Sequence, residues 1–145
     1  MAPHIKKIIV YTDGGSRGNP GESAVGVYVL SLEKKYSKYL GVKTNNEAEY
    51  EAVIFAFKKL KQLLGADAAA AMELSFRLDS DLVVQQLSGK FKIMEEKLKL
   101  LFVDVWNLRQ DFKASTFTHV PREENSVADS LVNQELDNQQ GELFE

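Results

Sequence analysis

The sequence contains no cysteine, which excludes a disulfide framework and any thiolate metal site. Histidine is nearly as scarce, with two in 145 residues, so a bound metal would have to rest mainly on oxygen ligands. No apolar run reaches the length of a membrane span. The opening MAPHIKKIIVYT turns polar too soon for a secretory leader, and a cytoplasmic location is the expectation. An excess of positive charge is also missing. The net charge is −3, which on its own speaks against a nucleic-acid partner. Its distribution softens that argument: residues 122–145 carry one basic and seven acidic groups, a local −6, which leaves +3 over residues 1–121. Lysines gather at Lys34, Lys35, Lys38 and Lys43, and again at Lys90, Lys92, Lys97 and Lys99. Such clusters permit phosphate binding but are equally a solvated surface.

What remains is ordinary globular material. Apolar residues make up 44% and charged residues 27%, enough for one substantial core in a chain of this length. A single domain over residues 1–145 is expected, with an ordered core at about 5–137, a frayed, acidic polar tail at 138–145, and a monomeric state.

The chain divides by hydrophobic period. IKKIIVYTD (5–13) is a β-branched run leading into the glycine-rich GGSRGNPG, and reads as a strand leaving into a loop. AVGVYVLSL (24–32) and KKYSKYLGV (34–42) form a hairpin. From Asn46 to about Leu64 the apolar spacing is helical, with a capping box at Thr44-Asn45-Asn46-Glu47 and a stop at Gly65. ELSFRLD (73–79) is a fourth strand, followed by a short helix over 81–87 and a longer one over 97–112, where Trp106 reads as core. STFTHVP (115–121) is a fifth strand, and a last helix covers 125–137. The order β-β-β-α-β-α-α-β-α indicates an α/β domain with a five-stranded mixed sheet: three antiparallel strands, then two reached by helical crossovers.

Four acids stand out against this frame. Glu49 shares its helix face with Ala52, Val53, Ala56 and Leu60, whereas Glu47 and Glu51 lie about 200° away on the polar side. A carboxylate on an apolar stripe must be paired, protonated or bound to a cation, unless its first-turn position still reaches water. Asp13 ends the first strand before two glycines, and Asp79 ends the fourth strand before a helix. Asp129 flanks the apolar stripe of the last helix. Each has an ordinary explanation: turn former, helix cap and helix surface respectively. Together they suggest a site beyond the strand ends. Converging carboxylates without a matching cation repel one another, and hard divalent ions are the economical remedy. Two such ions roughly 4 Å apart are able to activate water and stabilise the leaving oxygen of a phosphodiester.

The blocks YTDGGSRGNPG (11–21), TNNEAEYEA (44–52), LDSDLVV (78–84) and HVPREENSVADSLV (119–132) resemble the four motifs of type 1 ribonuclease H, in order and at compatible spacing. The likeness is greatest to the compact prokaryotic branch that lacks a long basic handle. It implies the ribonuclease H-like fold flanked by helices. It also implies hydrolysis of the RNA strand of RNA–DNA hybrids by a two-metal-ion mechanism, leaving 3′-hydroxyl and 5′-phosphate ends. The cofactor implied is Mg²⁺, with Mn²⁺ as substitute, held by Asp13, Glu49, Asp79 and Asp129. The family's contacts to the hybrid would fall on Gly14, Gly15 and Ser16, read as a turn, and on Asn19, Asn45 and Asn46, with Thr44 on a DNA-strand phosphate.

The chain also departs from the family pattern. A loop histidine found in many members has Glu123 in its place, and Glu123 or Glu124 is the candidate for a related auxiliary role. His119 reads as a partly buried strand residue. In place of the handle stands LSGKFKIMEEK, which leaves Lys90, Lys92 and Lys97 as phosphate partners. The competing functions are a nuclease of the same fold acting on another duplex, such as double-stranded RNA, and a hybrid-binding module without catalysis.

Overall fold

The structure is a computed structural model and describes residues 5–144. Its central strand, β1 (Lys7–Gly18), begins as the β-branched run of the sequence, with Ile8 and Val10 fully buried. β2 (Gly21–Val29) returns antiparallel beside it, and a 3₁₀ turn at Leu30–Leu32 leads into β3 (Lys34–Lys43) on the outer edge. The helix α1 (Asn45–Ala70) then crosses to β4 (Glu73–Leu78), which lies parallel to β1 on its other side. Helices α2 (Asp81–Leu87) and α3 (Glu96–Arg109) lead to β5 (Ala114–His119), parallel to β4. A 3₁₀ turn at Arg122–Asn125 opens α4 (Ser126–Phe144). The sheet order β3-β2-β1-β4-β5 is the mixed topology expected from the element order.

Two cores lie on opposite faces of the sheet. On one, Tyr50, Val53, Phe57 and Leu60 of α1 and Leu98 and Val105 of α3 pack on Val10, Val27 and Phe76. On the other, Val132 and Leu136 of α4 pack on Ala24, with Tyr39 beside them.

The glycine-rich segment corrects the sequence reading. GGSRG is not a loop: β1 continues through it to Gly18, paired with β2 from Gly14↔Val25 to Gly18↔Gly21, and only Asn19 and Pro20 turn. Its glycines serve a different purpose. A Cβ on Gly14 would stand 2.0 Å from the Ala48 carbonyl oxygen of α1. Gly26 of β2, the cross-strand partner of Asp13, would meet the Ala128 carbonyl oxygen of α4 at 2.3 Å. Each helix therefore rests its backbone on the sheet where a side chain is missing.

Other boundaries shift for identifiable reasons. Gly65 does break α1, with φ 79° and ψ 167°, but a further helical piece runs on to Ala70. The expected frayed tail is instead helical through Phe144. Arg17 on the β1–β2 hairpin pairs with Asp137 at 2.7 Å and donates to Gln140 Oε1 at 3.2 Å, which draws the end of α4 back onto the domain. Trp106 is not core; it is 54% exposed, beside Leu100 and Val103 on the outer face of α3, because Val105 and Leu98 take the inner one. His119 ends β5 as an exposed residue rather than a partly buried one.

Gly14→Ala is expected to destabilise the fold by at least about 3 kcal/mol, the upper range for overpacking, because the obstacle is helix backbone rather than a movable side chain. Urea unfolding measures this, and an unchanged midpoint would contradict the seating of α1 on Gly14.

Candidate active site

The four acids arrive on four separate elements. Asp13 lies within β1, not at its end, opposite Gly26 of β2. The β1–β4 pairing stops at Tyr11↔Arg77, and continuing that register by two residues sets Asp79 level with Asp13. The pairing of the two strands ends before this level, and both side chains line one cavity. Glu49 comes from the first turns of α1, whose approach Gly14 permits, and Asp129 from the first turn of α4, whose approach Gly26 permits. One oxygen each from Asp13, Glu49 and Asp79 falls within a 4.8 Å cluster. Asp129 joins from α4, on the opposite face of the sheet, and lines the same cavity.

The helix start is built locally. Thr44 Oγ1 accepts from Glu47 N and Glu47 Oε1 accepts from Thr44 N, both at 3.1 Å, completing the capping box. Glu47 is buried by this cap, contrary to its expected place on the polar side. The cap fixes the phase of α1, and Glu49 then turns inward to the sheet. Asp79 does not cap α2. Ser80 does, accepting from Val83 N at 3.3 Å, and this leaves the Asp79 carboxylate for the cluster.

Burial and mutual repulsion dominate the electrostatics. Burial, then the charges of Asp79 and Asp129, push the Asp13 carboxyl up to about 7 from an ordinary 3.8, against a lowering hydrogen bond with Glu49. Glu49 is raised well above the usual carboxylate range by burial first, then by Asp13 and Asp79. No ion pair among the described residues joins any of the four to lysine or arginine. Protons or a cation must therefore carry the compensating charge.

The residues present fit a hard divalent cation. All candidate ligands are carboxylate oxygens, and Glu49 Oε2 is buried with no hydrogen-bond partner. An orphaned buried carboxylate oxygen is costly unless something positive meets it.

The cluster opens into a cavity of about 490 Å³, lined by the four acids and by Gly14, Gly15, Ser16, Asn45 and Asn46 among others. Gly14–Ser16 are strand rather than turn, and the Ser16 amide is already engaged, donating to Asn45 Oδ1 at 3.0 Å. Ser16 Oγ donates to the same oxygen at 2.9 Å, and Asn45 N donates to Asn19 Oδ1 at 3.1 Å. Asn19 thus supports Asn45 from outside the lining, and Thr44 also stays outside it as the helix cap. Glu123 and Glu124 are exposed on the 3₁₀ turn, and Arg122 of that turn faces the cavity instead.

Sequence reasoning missed five residues of the site. Arg17, Arg122 and Asn133 line the cavity, and Ser80 provides the cap that frees Asp79. Asn125 is buried between Asp79 and β1. Only Ser80 carried a legible signal, as a serine directly before a helical run.

A five-stranded mixed sheet of order β3-β2-β1-β4-β5 with a carboxylate cluster beyond the end of its β1–β4 pairing defines a domain of the ribonuclease H-like class. Comparison with known proteins agrees. Residues 11–135 match the family described as reverse transcriptase-like. The bifunctional protein Rv2228c of Mycobacterium tuberculosis is 35% identical over 136 residues, covering 90% of this chain and 36% of that protein. Ribonuclease HI of Halobacterium salinarum is 36% identical over 135 residues, 90% of this chain and 65% of that enzyme. The structure of LC11-RNase H1 in complex with RNA/DNA hybrid superposes with a TM-score of 0.86 at 39% identity, covering 92% of this chain and 99% of that one. The chain belongs to the type 1 ribonuclease H family. It spans 36% of the length of the first curated relatives it matches.

The raised Asp13 fixes a pH dependence. Between pH 3.8 and about 7 the folded protein holds a proton that the unfolded chain has released. The stability contributed by this group therefore falls as pH rises through that window. In EDTA, the melting temperature of the parent is expected to drop more between pH 5.5 and 8 than that of Asp13→Asn. Parallel pH profiles for the two proteins would contradict the burial of Asp13 among like charges.

Proposed function

We propose that this chain is a metal-dependent endonuclease that hydrolyses the RNA strand of RNA–DNA hybrids and leaves 3′-hydroxyl and 5′-phosphate ends. One observation carries the proposal: carboxylates from four elements line one cavity, three of them within 4.8 Å, and among the described residues none of the four is ion-paired to a lysine or arginine. The relative solved with an RNA/DNA hybrid, matched over almost its full length, supports the choice of substrate.

Asp13, Glu49, Asp79 and Asp129 would hold Mg²⁺, two ions in all, with Asp13 as the central ligand and Asp129 as the acid contributed by α4; Mn²⁺ would substitute. When bound, the ions supply charge neutralisation at the phosphodiester and lower the pKa of water. Every other part belongs to the protein. Asn45, held by Ser16 and Asn19, and Asn46 present amides to a shallow minor groove, where the 2′-hydroxyl distinguishes RNA from DNA. Gly14 and Gly15 line the cavity with backbone that would meet the sugar edge, and Thr44 at the start of α1 is the candidate for a DNA-strand phosphate. Asp129, half-buried and touched by Asn133 Nδ2 at 3.4 Å, is the acid with most freedom to adjust. Glu123 or Glu124, exposed on the turn whose Arg122 lines the cavity, is the candidate to assist proton transfer. A cytoplasmic location belongs to the same proposal.

Cleavage of end-labelled hybrid, double-stranded RNA and double-stranded DNA of one sequence tests this reading. With Mg²⁺ the parent is expected to cut only the RNA of the hybrid. Asp13→Asn is expected to lose roughly 100-fold or more, the several kcal/mol a Lewis-acid site contributes. Equal rates for parent and Asp13→Asn, or preferential cutting of another duplex, would overturn it.

A further inference from the structure

Asn125 lies 1% exposed at the end of the 3₁₀ turn that opens α4. Its amide nitrogen donates to the Thr12 carbonyl oxygen at 2.9 Å and to Asp79 Oδ2 at 3.3 Å. Thr12 directly precedes Asp13, and Asn125 stands one helical turn before Asp129. A single side chain thus touches the backbone that aims one acid, the carboxylate of a second, and the root of the helix that carries a third.

We propose that Asn125 is a positioning residue that sets the geometry of the divalent-cation site by holding Asp79 and the start of α4 against β1. The residue type fits the task. A buried lysine or arginine here would neutralise Asp79 and compete with a cation, and an acid would add to the repulsion. An amide orients a carboxylate while leaving its charge intact. The site also shows that burial here serves geometry and not polar satisfaction. Asn125 Oδ1 is buried without a hydrogen-bond partner, as is Thr12 Oγ1, an arrangement that costs stability unless the paired half of the amide matters more. Glu49, the remaining acid, sits on α1, whose start is fixed by the Thr44–Glu47 capping box, and the Asn125 amide donates to Thr12 and Asp79 instead.

This inference rests on the proposed metal-dependent nuclease, and titration calorimetry with Mn²⁺ separates the two. The parent is compared with Asn125→Ala and Asn125→Leu. Both variants are expected to bind Mn²⁺ about 10–100-fold more weakly, the range for losing a hydrogen bond to a metal ligand. Turnover should fall by a similar factor at fixed Mg²⁺ and recover partly at high Mg²⁺, while KM for the hybrid stays within about twofold. Gln86→Leu, which removes a buried amide bonded to Tyr50 and the Lys92 carbonyl, is the comparison for a purely structural loss. It should lower the melting temperature and leave Mn²⁺ affinity at the parental value. If Asn125→Ala does not fold, Asn125→Ser replaces it in the same comparison. A parent that binds no Mn²⁺ sinks the nuclease reading itself. A parent that binds it, with Asn125 variants that bind equally well, overturns the role of Asn125 alone.

Discussion

Four carboxyl groups whose charges would repel one another are held around a single cavity, and much of this architecture is arranged around that tension. Repulsion of this kind normally relaxes by side chains swinging apart into water. Here that escape is blocked by burial. Asp13 and Glu49 are each 7% exposed, and Glu49 has an oxygen with no partner. The chain achieves this by missing side chains. Gly14 and Gly26 remove the Cβ atoms that would hold α1 and α4 away from the sheet, one on each face, beside Asp13 in chain and in register. Two helices can then present acids at close quarters to a strand they do not follow in sequence.

Once the helices are seated, small polar devices decide which way each acid points. The Thr44–Glu47 box sets Glu49, Ser80 relieves Asp79 of capping, and Asn125 ties Asp79 to β1. The same economy marks the hairpin side of the cavity. Asn45 gathers Ser16 and Asn19 into one cluster linking the tip of the hairpin to the start of α1. The segment between α2 and α3, where a long basic handle was expected to be absent, holds no helix and leaves Lys90, Lys92 and Lys97 exposed. Hybrid binding without a handle would then lean on the cluster around Asn45 and on surface charge that salt readily screens.

Much of this was legible in the sequence. Element order and sheet type followed from hydrophobic period, and α2 matched its expected bounds, Asp81–Leu87. The misplaced Glu49 was visible because one helical face mixes it with alanine, valine and leucine. The glycine-rich run misled, since glycine signals a turn and a close approach alike, and only the packed helix tells them apart. Trp106 misled because a lone aromatic on a helix is ordinarily core, whereas the neighbouring Val105 already filled the inner position. The end of α4 depended on Arg17, 120 residues earlier in the chain than Asp137, and no local pattern encodes such a pair. Asn125 was illegible for the same reason: its partners Thr12 and Asp79 are distant in sequence.

The account turns on protons standing in for cations at a crowded acidic centre. Calorimetric titration with Mn²⁺ at pH 6, repeated in buffers of different ionisation enthalpy, counts the protons released as the metal binds. Because Asp13 ionises only near pH 7 and Glu49 is raised as well, the account requires release of about one proton or more per site filled. Binding with no proton release at that pH would mean the carboxylates were already ionised and well separated, and would contradict it.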